Sequence, residues 1–331
     1  MNRLKLCSLM LSSALLVSLS GCGSSHDADE KYYLISVNLQ VPYWQSASAG
    51  FGQAGSQMKV RTEFVGPDSY DPKAQQQALQ DAIQKKATGI LISVADPNLI
   101  KNDIDNAVVA GIPVITLDSD APQSKRLFFI GTNNYQAGLA GGQRLSKELQ
   151  GKGNVVVFTM PGQTNLEDRL RGYRDGIDKT QIKISQIVDI QGDPRVAFDT
   201  TTSILGKERD KVNAFVCLEA QSGKEVASVL SSNGVKDKVV MAFDTDSDTL
   251  DWIRKGVIAA TISQKPYTMA FVGMQMLDNL YHHKPKDLAA DWSKNSFAPV
   301  PAFVDTGSSL VDKSNVDSFI EASKSMTGSQ K

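Results

Sequence analysis

The sequence predicts an α/β protein built from two similar lobes, each a doubly wound parallel sheet. From Tyr32 onward, short runs rich in Val, Ile and Leu alternate with amphipathic segments of helical length. Near-continuous apolar strands are typical of sheets buried on both faces, and repeated strand–helix units form parallel sheets. About ten such strands exceed what one domain of this kind needs, so the 331 residues are expected to form two lobes.

The amino-terminal segment has the pattern of a secretory signal. A basic start precedes an apolar run over 6–19 and then the sequence LSGC. The apolar run is too short to span a membrane comfortably. Because LSGC resembles a bacterial lipoprotein processing site, we expect a signal peptide over 1–21, lipid attachment at Cys22 and a tether over 22–31. A plain cleaved signal peptide with an incidental Cys is the alternative.

Strands and helices then follow in regular order. The predicted strands are YYLISV, VRTEFVG, GILISV, IPVITLD, LFFIG, GNVVVFT, IKISQIVDI, NAFVCL, KVVMAF and VIAATI. Helices are expected after VPYW, over 72–86, 97–110, 134–149, 166–179, 222–231 and 267–281, and finally over 316–323. Several begin with Pro or a capping polar residue, as in DPNLI, where we expect Asp96 to cap the helix.

Two segments interrupt this order and indicate crossings between the lobes. They are IGTNNYQAG at 130–138 and PVPAFVD at 299–305. We therefore expect an N-terminal lobe over 32–131 plus 265–297, and a C-terminal lobe over 132–264 plus 298–325. The segment 284–298 is expected to be a surface loop.

Composition and motifs exclude several functions. The net charge is −1 and no basic stripe is visible, which argues against a nucleic-acid partner. There is no GxSxG motif, AQSGKE lacks the upstream Gly and following Ser or Thr of a phosphate loop, and GKGNVV precedes a strand instead of following one. Cys217 is expected to be a buried, inert thiol. His282 and His283 are expected to have no nearby partner, so no metal site is predicted. Because the enzyme motifs are missing, no cofactor and no enzymatic activity are predicted either.

Polar and aromatic side chains follow the strands at their carboxyl ends, where ligands bind in open parallel sheets. The candidate ligand-binding residues are Tyr43, Trp44, Asp118, Ser119, Asn165, Arg169, Glu219, Asp244 and Gln264. Carboxylates accept hydrogen bonds from vicinal hydroxyls, a guanidinium donates to hydroxyl oxygens, and aromatic rings cover the C–H faces of a sugar. Each signal is weak alone, but together they predict a site for a neutral polyhydroxyl ligand.

Five motifs in this order resemble the periplasmic sugar-binding proteins of ABC importers, in the ribose/galactose (type I) group. They are VPYW, IPVITLD, NLEDRLRGYRDGI, MAFDTD and IAATISQKP. The resemblance covers about 32–304 and implies two lobes joined by a three-strand hinge that close on the ligand. It also implies ligand contacts for Tyr43, Trp44, Asp118, Arg169, Asp244 and Gln264.

The sequence departs from the ribose binders at several of these positions. Val41 stands where they have an amide, Ser119 replaces a second Arg, and Leu-Glu at 218–219 replaces Asn-Asp. Near Pro194 no aromatic residue is present to close the far side of the site. Asn165 offers a replacement amide. The resemblance therefore implies a sugar or polyol without naming it.

The expected function is that of a monomeric, lipid-anchored binding protein at the periplasmic or outer side of the cell envelope. It would deliver a monosaccharide or polyol to an ABC permease and its ATPase. One alternative is a receptor that presents its ligand-bound form to a chemoreceptor or sensor kinase. A sugar-responsive repressor domain is a second, although the signal segment and the lack of a helix-turn-helix argue against it. A secreted carbohydrate-active enzyme with two carboxylates is a third.

Overall fold

The computed structural model describes residues 26–290, 292 and 297–328. The predicted signal peptide and the lipid-attachment residue Cys22 lie outside this range. Within it, the chain forms two six-stranded sheets with helices packed against them. No helix in the described ranges combines the length and the apolarity needed to cross a bilayer.

The first lobe is a parallel sheet with the strand order β11-β5-β4-β3-β1-β2. Its strands are β1 (Lys31–Ile35), β2 (Arg61–Val65), β3 (Gly89–Ile92), β4 (Val114–Leu117), β5 (Phe129–Gly131) and β11 (Phe303–Asp305). Its helices are α1 (Pro42–Met58), α2 (Pro72–Gln84), α3 (Pro97–Val109) and α9 (Pro266–His282). The helix α1 packs against α9, and α2 packs against α3.

The second lobe repeats this order as β12-β10-β9-β8-β6-β7, with β12 antiparallel to β10. Its strands are β6 (Lys152–Thr159), β7 (Gln181–Asp189), β8 (Ala214–Cys217), β9 (Val239–Phe243), β10 (Ala260–Ser263) and β12 (Ser309–Asp312). Its helices are α4 (Asn134–Glu148), α5 (Thr164–Ile177), α6 (Pro194–Lys207), α7 (Ser222–Ser232), α8 (Ser247–Arg254) and α10 (Val316–Gly328), with a short 3-10 turn at Arg209–Lys211.

The chain crosses between the lobes three times, between β5 and α4, between β10 and α9, and between β11 and β12. The predicted fold class is therefore confirmed. The boundary that we expected at 298 is wrong in one respect. The strand β11 pairs in parallel with β5 and belongs to the first lobe, so the last crossing follows Asp305.

Side-chain caps determine where several helices begin. Asp96 caps α3 as predicted, because its carboxylate accepts hydrogen bonds from the backbone N–H groups of Asn98 and Leu99. The helices α6 and α8 and the strand β12 were not predicted. The start of α6 nevertheless has the same Asp-Pro pair, with Asp193 as its cap. Cys217 is fully buried, as predicted.

Small residues allow α4 and α5 to approach each other closely in the second lobe. A Cβ atom added to Gly138 of α4 would lie 2.1 Å from the backbone oxygen of Arg169 in α5. A Cβ atom added to Gly172 would lie 2.2 Å from the backbone oxygen of Tyr135. This contact holds the α5 backbone at Arg169 against α4, where Asn134 is the first residue.

Candidate functional site

A cleft between the two lobes is lined by residues that follow the carboxyl ends of their strands. Its empty space, including the part open to solvent, is about 550 Å³. Eight of the nine candidate residues line it, namely Tyr43, Trp44, Asp118, Asn165, Arg169, Glu219, Asp244 and Gln264. The two lobes therefore contribute opposite walls of one site.

The first lobe contributes a carboxylate and an aromatic wall. Asp118, directly after β4, accepts a hydrogen bond from the Tyr43 hydroxyl at 2.8 Å. Its other oxygen accepts from the Asn165 side-chain amide, across the cleft, at 3.1 Å. Burial raises the pKa of the Asp118 carboxyl above its usual range, although the nearby guanidinium of Arg169 opposes this. The rings of Tyr43 and Trp44 meet edge to face, with centroids 4.9 Å apart.

The second lobe contributes Arg169, whose side chain is only 2% exposed. Its Nε donates to the side-chain oxygen of Asn134 at 2.9 Å, and its Nη1 donates to the backbone oxygen of Leu218 at 2.8 Å. Its Nη2 donates to Gln264 Oε1 at 2.9 Å and lies 3.9 Å from Asp118 Oδ1. The guanidinium is therefore held in one orientation, as a buried charge requires.

Asp244, directly after β9, is linked to this guanidinium through the side chain of Gln264. It is 8% exposed and accepts a hydrogen bond from Gln264 Nε2 at 2.9 Å. Burial raises the pKa of Asp244 from 3.8 to about 7, and the neighbouring carboxylates of Asp118 and Glu219 add to the rise. Arg169 opposes this rise without cancelling it. The buried carboxylates of this site are therefore in excess over its one guanidinium.

The backbone is unusual at both aspartates. Asp118 has φ 62° and Asp244 has φ 67°, in the region that residues other than glycine seldom adopt. They occupy corresponding places in the two lobes. Asp118 follows β4, which is two strands from β1 in the first sheet, and Asp244 follows β9, which is two strands from β6 in the second. Conformations of this kind concentrate at functional sites, where the surrounding structure holds them. The two lobes thus place carboxylates in equivalent positions at the cleft.

Comparison with known proteins identifies the family. Residues 32–285 match the family described as periplasmic binding protein domain. The chain belongs to the periplasmic binding protein family. One relative is the ribose import binding protein RbsB of Bacillus subtilis (strain 168), 23% identical over 266 residues that cover 78% of this chain and 85% of the relative. Another is the xylose/arabinose-binding protein XylF of Sulfolobus acidocaldarius, 24% identical over 302 residues that cover 86% and 71%.

Solved structures agree with this assignment. The arabinose-binding protein AraP from Geobacillus stearothermophilus is 33% identical with a TM-score of 0.72, covering 88% of this chain and 99% of that one. A solute-binding protein from Burkholderia graminis C4D1M, in complex with D-arabinose, is 27% identical with a TM-score of 0.80, covering 89% and 99%. The predicted membership of the type I sugar-binding proteins of ABC importers is confirmed. These relatives are sugar-binding transport proteins and not enzymes, and the family to which the chain belongs is periplasmic.

In this periplasmic binding protein, Ser119 does not have the position that we expected. It is fully buried and absent from the cleft lining. Its hydroxyl lies 3.5 Å from the hydroxyl of Thr164 in the opposite lobe. The Thr164 hydroxyl also accepts from the Asp120 backbone N–H at 2.9 Å and donates to the Asp120 carbonyl at 3.0 Å. Ser119 therefore belongs to a direct contact between the lobes.

Glu219 lines the cleft but is also a structural group of its lobe. Its two carboxylate oxygens accept hydrogen bonds from the backbone N–H groups of Gln221 at 2.7 Å and Ser222 at 2.9 Å. These N–H groups lie at the start of α7, where a helix leaves its donors without internal partners. Glu219 can offer a ligand only the lone pairs that remain.

Sequence reasoning missed several residues of the binding protein's cleft, including Asn38, Tyr70, Met160, Gln163 and Gln221. Tyr70 is the aromatic that we looked for near Pro194, but it comes from the first lobe. It contacts Gly192 of the second lobe, where an added Cβ atom would lie 2.3 Å from the Tyr70 Cβ. Tyr70 follows the end of β2, so the rule used for the other strands could have identified it.

Outside the cleft, two further expectations are wrong. His282 has partners, because its Nε2 lies 3.2 Å from a carboxylate oxygen of Glu30. The segment that we predicted as a tether over 22–31 is held against the first lobe in its described part. There, His26 Nε2 lies 2.9 Å from Asp278 Oδ1 of α9.

Proposed function

We propose that this protein captures a neutral monosaccharide or polyol between its lobes and delivers it to an ABC permease and its ATPase. We propose further that it acts as a monomer attached to the membrane through lipid at Cys22. The arrangement of Asp118, Arg169 and Asp244 carries the binding part of the proposal. These groups belong to different lobes, so closure is needed to bring them to one ligand.

The chemistry of the cleft supports a ligand rich in hydroxyl groups. Asp118 and Asp244 are buried carboxylates whose accepting capacity is only partly used by Tyr43, Asn165 and Gln264. A vicinal diol can donate to such a carboxylate, and the edge-to-face aromatic pair offers apolar surface to the sugar C–H groups. Because the relatives are named for ribose, xylose and arabinose, aldopentoses are the first ligands to test.

A thermal-shift screen of pentoses, hexoses and polyols, followed by calorimetric titration, tests the binding proposal. We expect one or a few neutral sugars to raise the melting temperature and to bind with one-to-one stoichiometry. Asp118→Asn should weaken that binding about 10- to 100-fold, since a hydrogen bond to a charged group contributes about 1.5–3 kcal/mol. Absence of binding by any neutral sugar or polyol would refute the proposal.

Lipid attachment is tested separately in the cell. With Cys22 acylated, the protein should fractionate with membranes, because each buried CH₂ contributes about 0.8 kcal/mol to membrane binding. Cys22→Ser should release it into the soluble extracytoplasmic fraction or leave it unprocessed. A wild-type protein that is soluble and carries no acyl mass would support the plain signal peptide instead.

A second candidate function is sensing. A chain in the structure of the XylFII–LytSN complex is 27% identical to this chain with a TM-score of 0.77, and the match covers 86% of this chain and 98% of that one. By analogy, the ligand-bound form of this protein could be recognised by a receptor other than a permease. Deleting the gene and measuring uptake of labelled sugar distinguishes the two, because transport predicts loss of uptake while sensing predicts loss of a transcriptional or chemotactic response only.

A further inference from the structure

Four potential metal ligands meet at the edge of the first lobe that lies away from the cleft. They are His26 and Glu30, just before β1, and Asp278 and His282, on the last turns of α9. One ligand atom from each lies within 4.8 Å of all the others. The cleft is at the carboxyl ends of the strands, whereas Glu30 precedes the amino end of β1. The cluster is thus separate from the sugar site.

The distances in the cluster fit a tetrahedral metal centre. His26 Nε2 lies 2.9 Å from Asp278 Oδ1. His282 Nε2 lies 3.2 Å from Glu30 Oε2 and 3.6 Å from Asp278 Oδ1. Ligand atoms at about 2.0–2.2 Å from a tetrahedral Zn²⁺ lie about 3.3–3.6 Å from one another. These three separations bracket that value, and the other pairs of ligand atoms lie no more than 4.8 Å apart, so the four atoms can converge on one ion with shifts of about 1 Å or less.

The elements around the cluster explain why these side chains converge. Asp278 and His282 are four residues apart on α9 and therefore share one face of the helix. Glu30 is 3% exposed and accepts a hydrogen bond from the backbone N–H of Asp27 at 2.8 Å. The Tyr32 hydroxyl donates to Asp278 Oδ1 at 3.1 Å. Hydrogen bonds of this kind to a ligating carboxylate commonly orient metal ligands in proteins.

The donor set selects the kind of ion. Two imidazole nitrogens and two carboxylate oxygens suit Zn²⁺ or a similar first-row divalent ion, whereas Mg²⁺ and Ca²⁺ prefer oxygen ligands throughout. The two carboxylates would neutralise the charge of the ion. The partial burial of all four side chains, with 3–18% of each exposed, also limits competition from water.

We propose that His26, Glu30, Asp278 and His282 form a structural Zn²⁺ site that clamps the amino-terminal segment to the end of α9. Bound metal would stabilise the folded state by mass action. Only three residues separate Cys22 from His26, so the clamp would also fix the point where the proposed lipid anchor joins the first lobe. That last consequence rests on the proposed anchor, but the metal site does not.

The test uses purified protein without a polyhistidine tag, depleted of metal with EDTA. Zn²⁺ is titrated in competition with a chromophoric chelator, and Co²⁺ serves as a spectroscopic probe of coordination. We expect one equivalent of Zn²⁺ to bind, the melting temperature to rise, and Co²⁺ to give the strong visible absorption of a four-coordinate site. His26→Ala and His282→Ala should each lower the Zn²⁺ affinity more than tenfold. Tyr32→Phe should lower it about tenfold.

The neighbouring residue His283 provides the matched control, because it is exposed and lies outside the cluster. His283→Ala should bind Zn²⁺ like the wild type. The proposal is overturned if the wild-type protein binds no stoichiometric Zn²⁺, or if His283→Ala weakens binding as much as His282→Ala. It is also overturned if His26→Ala retains full affinity. Sugar affinity should be equal with and without Zn²⁺, so failure of this proposal is distinct from failure of the proposed function.

Discussion

Replacing Asp244 with Asn is expected to stabilise the ligand-free protein at pH 8 and, at the same time, to weaken sugar binding. The pKa of Asp244 is raised from 3.8 to about 7, chiefly by burial. A shift of about three units corresponds to about 4 kcal/mol of free energy of unfolding lost when the group is ionised in the folded protein. Asn keeps a similar shape and can still accept from Gln264, but it carries no buried charge.

The sign of this effect depends on pH in a defined way. Because the folded protein holds the Asp244 proton more tightly than the unfolded chain, the wild type loses stability as pH rises from about 4 to about 7. The advantage of Asp244→Asn should therefore be less than about 2 kcal/mol at pH 5 and about 4 kcal/mol at pH 8. For a chain of this size, the larger value corresponds to a rise in melting temperature of several degrees.

Calorimetric melting of both proteins at pH 5 and pH 8, without ligand, measures this difference. Asp246→Asn is the matched control, since Asp246 caps α8 and Asn caps helices equally well. Sugar binding by Asp244→Asn at pH 8 should be about 10- to 100-fold weaker, through the loss of a charged acceptor. The electrostatic reasoning would be refuted if Asp244→Asn were less stable than the wild type at pH 8. It would also be refuted if the variant changed the melting temperature by the same amount at both pH values.

Three further outcomes follow from the same geometry. Sugar affinity of the wild type should rise by up to about 100-fold between pH 5 and pH 8, because hydroxyl donors favour ionised Asp244, whose pKa of about 7 lies between these values. Titration calorimetry at the two pH values measures this change, and equal affinities would contradict it. Gly192→Ala should weaken sugar binding at least tenfold, since its Cβ would press on Tyr70, whereas Gly151→Ala, with the same φ of 75° but open space around it, should not. Gly138→Ala should lower the free energy of unfolding by about 1–3 kcal/mol through overpacking of α4 on α5. Gly206→Ala, whose added Cβ atom would have no neighbour within 4 Å, should leave the free energy of unfolding unchanged or slightly higher. Urea denaturation of both variants measures the difference.

Most of the fold could be predicted because its signals are local. The strands are continuous apolar runs, and Asp-Pro pairs start α2 and α3. The elements that were missed have weaker local signals. The helix α6 contains three consecutive Thr residues, which have low helix propensity. The strand β12 has only four residues, and it forms through pairing with β10. That pairing is a tertiary contact which the sequence does not display.

The cleft residues could be predicted from one topological rule, that polar residues after parallel strands meet at one sheet edge. The rule cannot tell how the two lobes meet. Ser119 was placed wrongly because the contact of Thr164 with Asp120 buries it between the lobes. The partners of His282 were missed because they are distant in sequence. Glu30, for example, lies 252 positions before His282.

The charges of the site limit what kind of ligand can close the lobes. Arg169 already uses a donor on each of its three nitrogens for Asn134, Leu218 and Gln264. Few of its five N–H groups therefore remain for a guest. The buried carboxylates, in contrast, have spare accepting capacity and are in excess over this one cation. An acidic guest would add a charge that no described group of the cleft lining can neutralise, whereas each hydroxyl of a neutral sugar supplies the donor that a carboxylate lacks. The shortage of donors in the cleft is thus the physical reason to expect neutral, hydroxyl-rich ligands.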